Sequence, residues 1–381
     1  MKIGVFSYDF DPPVGGLGRS VKALFDTMKE RYTDHEFLLF SPSANAPKNV
    51  PAIARFWWKK KGGCPMFSLS LNTTLSRLVK RHQLDIMHVH SGSGGVFVLR
   101  KPACRLIVTS HHTYRQEMHT VFKRNSLRYI WKGWMAKFEE RTYRLADKII
   151  CVSDDTRLAL AMLYGIPAHK LCVIENSIDF GPLAPDTSVQ KDGNTITFLG
   201  RLEERKGIWT LLKAFTRLAR KYPRLKLRLA GDNMIGAPLE RYVRQNNLQG
   251  SVEFLGKLHD PLFRREMKAA TVVVVPSLIE GFGLVAAETM AAGTMVVASN
   301  SEGLRSIVKH GKTGLLFKTG DPDHCAAMIE QALLKSDERA IIERQAMKEA
   351  RERFAIERQS QQTLECYEQF FIRELGGAKA V

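Results

Sequence analysis

The chain has 381 residues and 57 Lys+Arg against 39 Asp+Glu, a formal charge of +18, with 44% hydrophobic residues. That length exceeds what one hydrophobic core usually organises, so two domains are expected. No apolar run approaches the ~20 residues that cross a bilayer, no charged segment followed by an apolar one opens the chain, and the six cysteines form no C-x-x-C pair. A membrane span, a secretory leader, a zinc module and a disulfide framework are therefore not expected, and the thiols are read as reduced core residues of a cytoplasmic protein.

The charge is uneven. Residues 1–182 carry 27 Lys+Arg against 15 Asp+Glu, a net of +12, and residues 183–381 carry 30 against 24, a net of +6. Such a field favours an anionic partner: acidic lipid headgroups, nucleic acid or an acidic glycan. The clearest cluster runs from Arg55 to Lys61, where Phe56, Trp57 and Trp58 stand beside cations as at a membrane interface; a second, 123–144, mixes Arg and Lys with Tyr129, Trp131 and Trp134. No recognition helix, RNA-binding signature or zinc module supports nucleic acid, which is not expected as a partner.

Met1 to Phe6 reads as a first buried strand, and strand-like runs at 3–7, 37–40, 86–90, 106–110 and 148–152 alternate with helical stretches. This pattern predicts α/β structure with a parallel, doubly wound sheet. After the first strand comes a glycine-rich loop, Asp11-Pro12-Pro13-Val14-Gly15-Gly16-Leu17-Gly18-Arg19, then an amphipathic helix from near Ser20. The loop is neither G-x-G-x-x-G nor a P-loop, so it reads either as a tight turn or as backbone, at Gly15 and Gly16, that closes over a diphosphate. His111 and His112 end the strand at 106–110, where a doubly wound sheet places functional side chains; strand alternation leaves open which of them points inward.

Residues 179–192 contain Gly181, Pro182 and Pro185 and no apolar period, which suits a linker. The expected domains are 1–182 and 183–355, with a C-terminal helical segment, 356–381, crossing back to the first domain. Strand-like runs at 195–199, 225–230, 251–254, 271–275 and 295–298 repeat the pattern and predict a second Rossmann-like domain. In open α/β sheets ligands sit at the carboxyl ends of the strands, so two facing sheets would offer a central cleft.

Arg201 and Lys206 follow the first strand of this half, with Gly207 at the next helix. A guanidinium fork and a compact ammonium there could hold a diphosphate and neutralise charge on a departing phosphate. Gly231 and Asp232 end another strand in a turn that could face a nucleotide base. The segment from Pro276 to Glu288 places Glu280, Gly281, Gly283 and Glu288 at a strand-to-helix junction. Glycines there admit close backbone approach, and a helix start aims N–H groups and a positive dipole end at an anion. If Glu280 and Glu288 shared one helix they would lie roughly 12 Å apart along it, against about 5 to 10 Å for a glycosidase acid pair. The alternative reading is that both acids decorate a surface helix near its N-terminus.

These pieces, in this order, resemble the family-4 retaining glycosyltransferases of the GT-B architecture, two Rossmann-like domains facing a cleft. The resemblance covers nearly the whole chain: Pro-Pro-x-Gly-Gly at 12–16, the histidine-bearing strand end at 111, Val152-Ser153 before a helix, Asn176-x-x-Asp179, Gly200-Arg201 with Lys206, Gly231-Asp232, and the two acids at 280 and 288. Ser177 stands where the family often has glycine. The resemblance implies that Arg201 and Lys206 grip the donor pyrophosphate, that Glu288 hydrogen-bonds the nucleotide ribose and that Glu280 contacts the sugar. It implies further phosphate and sugar contacts from the backbone amides of Phe282, Gly283, Leu284 and Val285, with Gly16 and His111 facing the reaction from the first domain.

The expected activity is therefore transfer of a sugar from a nucleotide-diphosphate donor to an acceptor hydroxyl with retention, without a metal or other cofactor. The expected acceptor is a glycan or a lipid-linked saccharide at the cytoplasmic face of an anionic membrane, as in cell-surface glycan, lipopolysaccharide or glycolipid synthesis. A sugar-phosphate synthase or a glycan phosphorylase on the same architecture is the alternative enzyme. A basic nucleic-acid-binding protein and a non-catalytic scaffold are the alternatives outside catalysis.

Overall fold

The computed structural model describes the whole chain except residues 14, 44, 46, 51–54, 57–62, 93–94, 122–123, 125, 185–188, 192 and 378–381, and the side chains of 372–377. The chain forms two compact units, Met1–Ser177 with Ile356–Val381, and Ile178–Ala355. Most of the Arg55–Lys61 cluster lies outside the described residues.

The first unit is a six-stranded parallel sheet in the order β2-β1-β3-β4-β5-β6: β1 (Lys2–Phe6), β2 (Glu36–Phe40), β3 (Ile86–Ser91), β4 (Arg105–Ser110), β5 (Lys148–Cys151) and β6 (Leu171–Val173). Alternate residues of each strand enter opposite cores. Met87, Val89, Leu106, Val108 and Ile149 pack in one cluster and Ile3, Val5, Ile86, Ile107 and Ile150 in another, as expected of a parallel sheet covered on both faces. The helices are α1 (Gly16–Arg31), α2 (Gly63–His82), α3 (Tyr114–Val121), α4 (Leu127–Leu145) and α5 (Asp154–Tyr164). α1 starts four residues before the predicted point because Gly15 already has extended N-cap geometry. α5 has both sequence signals of a helix: Ser153 caps it by accepting from Thr156 N–H, and Gly165 ends it at φ 62°.

The second unit is a six-stranded parallel sheet in the order β12-β11-β10-β7-β8-β9. Its strands are β7 (Thr195–Leu199), β8 (Lys226–Ala230), β9 (Val252–Gly256), β10 (Val272–Val275), β11 (Met295–Ser299) and β12 (Leu315–Phe317). Between them run α6 (Ile208–Lys221), α7 (Ala237–Gln245), α8 (Asp260–Ala269), α9 (Leu284–Ala291), α10 (Leu304–Ile307), α11 (Pro322–Leu334) and α12 (Ser336–Arg353). The last helix, α13 (Ile356–Gly377), belongs to the first unit, where Cys366 and Tyr367 are buried with Ile3, Ile86 and Ile107.

Both strand orders reverse direction once. In the first unit the reversal falls between β1 and β3, and in the second between β7 and β10. Such a switch point leaves a crevice at the carboxyl ends of the two diverging strands, and that is where an open α/β sheet takes its ligand. β6 and β12, three residues each, were not expected from the sequence; both are edge strands.

Candidate active site

At the switch point of the second unit, three loops are drawn together by glycines that no other residue could replace without displacement. Gly207 has φ 69°, and a Cβ there would lie 1.8 Å from the carbonyl oxygen of Pro276. The loop after β7 therefore lies directly on the loop after β10, and Leu278 N–H donates to Arg205 O at 2.8 Å. Gly303, φ 82°, brings the loop after β11 against Glu280, with a Cβ placed 2.5 Å from Glu280 O. Gly231 packs likewise on the carbonyl oxygen of Gly200, while Asp232 is exposed and its carbonyl accepts from Leu202 N–H at 2.9 Å.

This packing seats the Glu280 carboxylate among cations. It accepts from Lys206 Nζ at 2.5 Å, from Ser277 Oγ at 2.7 Å and from Arg205 Nη1 at 3.4 Å. Burial alone would push its pKa up, but Lys206, Arg205 and the Ser277 hydroxyl outweigh it and hold the group at about 2, so it stays ionised. Burial draws the Lys206 ammonium below its ordinary range, against the opposing pull of Glu280. Arg205 also reaches Glu203 Oε1 at 3.1 Å and the carbonyl of Ile279 at 3.2 Å. Arg201 is more open, with a side chain 55% exposed and Glu203 at 3.2 Å.

Five residues thus form one ionic cluster of three cations and two carboxylates. Arg201, Lys206 and Glu280 were singled out in the sequence, whereas Arg205, Glu203 and Ser277 were not. The signal for Arg205 was its place in the Glu-Glu-Arg-Lys run, where its neighbours made it look like ordinary surface charge.

Glu280 precedes α9, and of the two acids only Glu288 lies on the helix, so the two do not share a helical face. Gly283 is the N-cap, with φ 104° and Leu304 Cδ2 2.6 Å from where a Cβ would be. Leu284, Val285 and Glu288 are the half-open positions of the otherwise buried first turns, and their i, i+1, i+4 spacing puts them on one side. Phe282 is buried edge-on against Phe354 at 5.4 Å, so only its backbone is positioned for a ligand. The N–H groups of Leu284 and Val285 lie ahead of the helical ladder of α9, whose first bonds run from Ala286 and Ala287 N–H to Gly283 O at 2.9 and 3.1 Å.

The first unit brings its own polar cluster to the ends of β3 and β4. His111 is buried, and its Nε2 lies 3.1 Å from Nδ1 of His90. The His90 ring lies 4.5 Å from that of His88, which in turn bonds Thr109 Oγ1 at 2.7 Å and the Tyr367 hydroxyl on α13 at 2.6 Å. Burial lowers all three histidines, His88 and His111 to about 3 and His90 well below its ordinary value, so all are neutral at physiological pH. In the His90–His111 contact one ring must donate and the other accept, which couples their tautomers. His88 and His90 were not anticipated; their i, i+2 spacing on β3, beside the strand that ends in His111, was the available signal. His112 is half-buried.

At the switch point between β1 and β3, Gly15 N–H donates to Asp9 Oδ2 at 3.0 Å. A Cβ at Gly18 would collide with the same carboxylate at 2.5 Å. The glycine-rich loop thus wraps a buried acid of its own chain at the start of α1, and Gly16 is the first residue of that helix. In the Asn176–Asp179 turn, Ser177 is not among the positive-φ residues, and its N–H and hydroxyl both donate to Gln359 Oε1 at 3.0 and 2.7 Å.

A family profile described as glycosyltransferase family 4 matches residues 14–181, and one described as glycosyl transferases group 1 matches residues 183–351. The chain belongs to the family-4 glycosyltransferases. This glycosyltransferase is 27% identical to the phosphatidyl-myo-inositol mannosyltransferase of Mycolicibacterium smegmatis over 86% of the chain and 84% of that protein. It is 33% identical to an uncharacterised glycosyltransferase of Methanocaldococcus jannaschii, a match that spans 49% of the chain and half of the archaeal protein's length. Among solved structures, sucrose-phosphate synthase of Thermosynechococcus elongatus superposes with a TM-score of 0.78 at 19% identity, over 98% of this chain and 100% of that one. HepE of Anabaena, solved with UDP and glucose, superposes with a TM-score of 0.70 at 20% identity over 97% and 100%. These neighbours carry the GT-B fold, and the glycosyltransferase shares it.

Proposed function

We propose that this glycosyltransferase moves a sugar from a nucleotide-diphosphate sugar to an acceptor hydroxyl with retention of configuration, using its own cations in place of a metal. The observation that carries the reading is the ionic cluster at the β7–β10 switch point. There an ionised Glu280 fixes Lys206 and Arg205 in place, and Arg201 stands more exposed beside them. A donor diphosphate would meet Arg201, Lys206 and the start of α9 at the backbone of Gly283, Leu284 and Val285. Glu288, on the half-open side of α9, would take the ribose, and Glu280 the transferred sugar. The neighbour solved with UDP and glucose supports a nucleotide-sugar donor.

In the proposed step the acceptor oxygen bonds the anomeric carbon on the face the leaving group vacates. The bond from that carbon to the diphosphate breaks, its electron pair leaves on the nucleoside diphosphate, and the acceptor proton passes to the departing phosphate oxygen. The preorganised cations stabilise the charge that develops there. In this reading the backbone of Gly15 and Gly16 would close over the leaving diphosphate, His111 or His112 would orient a sugar hydroxyl or a phosphate, and the acceptor is a glycan or lipid-linked hydroxyl.

Calorimetric titration with UDP, GDP and ADP, with and without a chelator, tests the donor site. One nucleotide is expected to bind whether or not the chelator is present. Affinity should fall about 10- to 100-fold in Arg201→Ala and in Glu288→Ala, the scale of a lost hydrogen bond to a charged group. Binding of none of the three would overturn the assignment, and binding abolished by the chelator would overturn its metal-free form.

A further inference from the structure

α4 lies across the first unit with one face buried and the other open. Its inner face places Met135, Ala136 and Tyr143 in the interior, and Lys132 is tied to Glu117 at 2.8 Å. The outer face begins with four large apolar residues at i, i+3, i+4 and i+7: Leu127 is 86% exposed, Ile130 53%, Trp131 54% and Trp134 57%. Isolated exposed apolar residues are ordinary, but four in one helical stripe, two of them tryptophan, form a contiguous patch that water disfavours. Cations border it. Arg128 is exposed at its start, and Lys137 continues the outer face with its ammonium 4.9 Å from the centre of the Trp134 ring.

We infer that this face of α4 docks on an anionic lipid bilayer, with Trp131 and Trp134 entering the headgroup region and Arg128 and Lys137 meeting lipid phosphates. The inference goes beyond the proposed activity, since it concerns how the first unit meets a surface. Two features select this occupant. Tryptophan beside Lys or Arg on an amphipathic helix is the composition of an interfacial segment. Charge selects against a second copy of the chain, because a symmetric contact would bring the same cations of two molecules, each at +18, together. No described helix is long and apolar enough to cross a membrane, so the contact would be peripheral.

The test is flotation of the full chain with vesicles of phosphatidylcholine alone and of phosphatidylcholine with phosphatidylglycerol, at low and high salt. The wild type should partition onto the anionic vesicles only. The Trp131→Ser/Trp134→Ser double variant should lose about tenfold or more in partition coefficient. Arg128→Gln and Lys137→Gln should each lose roughly fivefold at low salt. Tryptophan quenching of the wild type by bromine-labelled lipids gives a second readout, independent of how well the variants fold. Equal binding to both vesicle types, a tryptophan variant that binds like the wild type, or no quenching by the brominated lipids would each overturn the inference. So would a wild-type dimer that the tryptophan substitutions make monomeric without any vesicle binding. Nucleotide titration of the same variants without vesicles should match the wild type, so the docking surface and the donor site can fail separately.

Discussion

Glu280, mostly enclosed with its side chain 11% exposed, and Glu139, fully buried, have pKa values that move in opposite directions, and the difference lies in their partners. Glu280 has Lys206, Arg205 and Ser277, and sits at about 2 against an ordinary 4.5. Folded, it binds fewer protons than the unfolded chain between those values, so its stabilisation is complete above about pH 4.5 and is lost as the pH falls toward 2. The contribution is up to about 3 kcal/mol. Glu139 on α4 is buried among neutral donors, accepting from Tyr114 N–H at 2.9 Å and from the hydroxyls of Tyr143 and Tyr164, and burial raises it to about 7. Folded, it keeps its proton where the unfolded chain has lost it, so its effect is a loss of stability as the pH rises from 4.5 through 7. Denaturant unfolding across pH should therefore show Glu280→Gln flattening the acid side of the stability profile and Glu139→Gln flattening the neutral side. A profile unchanged by either substitution would contradict the corresponding assignment. Truncation to Glu280→Ala should be harsher, up to about 3 kcal/mol, because it leaves the Lys206 ammonium, 20% exposed, without its nearest counter-charge.

At the scale of elements, the loops at the switch point exist in this form because three glycines accept backbone contacts that a side chain would forbid. Gly207→Ala would need both a positive φ and a carbonyl oxygen within 1.8 Å of its Cβ. It should cost on the order of 2 kcal/mol or more in denaturant unfolding and weaken nucleotide binding together with stability. A variant of wild-type stability would show that the loop has another way to pack. Most of this architecture was legible in the sequence. The β-branched runs, the glycine-rich turns and the charged residues after strands located ten of the twelve strands among the described residues and the loops that carry Arg201, Lys206 and Glu280. The three-residue edge strands β6 and β12 were not legible, because so short a run has no period to detect. Nor was the Arg205–Glu280 contact, which joins residues 75 positions apart and depends on the register of parallel strands. The histidine pair on β3 was hidden for a different reason: a buried histidine inside a strand looks like any other interior residue until the neighbouring strand's end is placed beside it.

At the scale of the whole molecule, the first unit is built from two distant parts of the chain, and its second part is a single helix. α13 packs on α1 and β1, burying Cys366 and Tyr367 to within 2% of full burial. It also supplies Gln359, which takes both donors of Ser177, and the Tyr367 hydroxyl, which takes His88. The second unit has its own core around β7, β8, β10 and β11, to which none of the described side chains of α13 belongs. The two cores should respond separately to loss of the helix, a departure from single-transition unfolding that is expected of a two-unit chain. Scanning calorimetry of a chain ending at Ala355 should show the transition of the first unit lowered or absent and that of the second unit in place. Tyr367→Ala should reproduce the effect in part, at about 3 to 5 kcal/mol. Tyr367→Phe, which removes only the bond to His88, should cost about 1 kcal/mol. If truncation lowered both transitions equally, α13 would be supporting the chain as a whole; if it moved neither, the contacts of Tyr367 and Gln359 would be incidental to the first unit's stability.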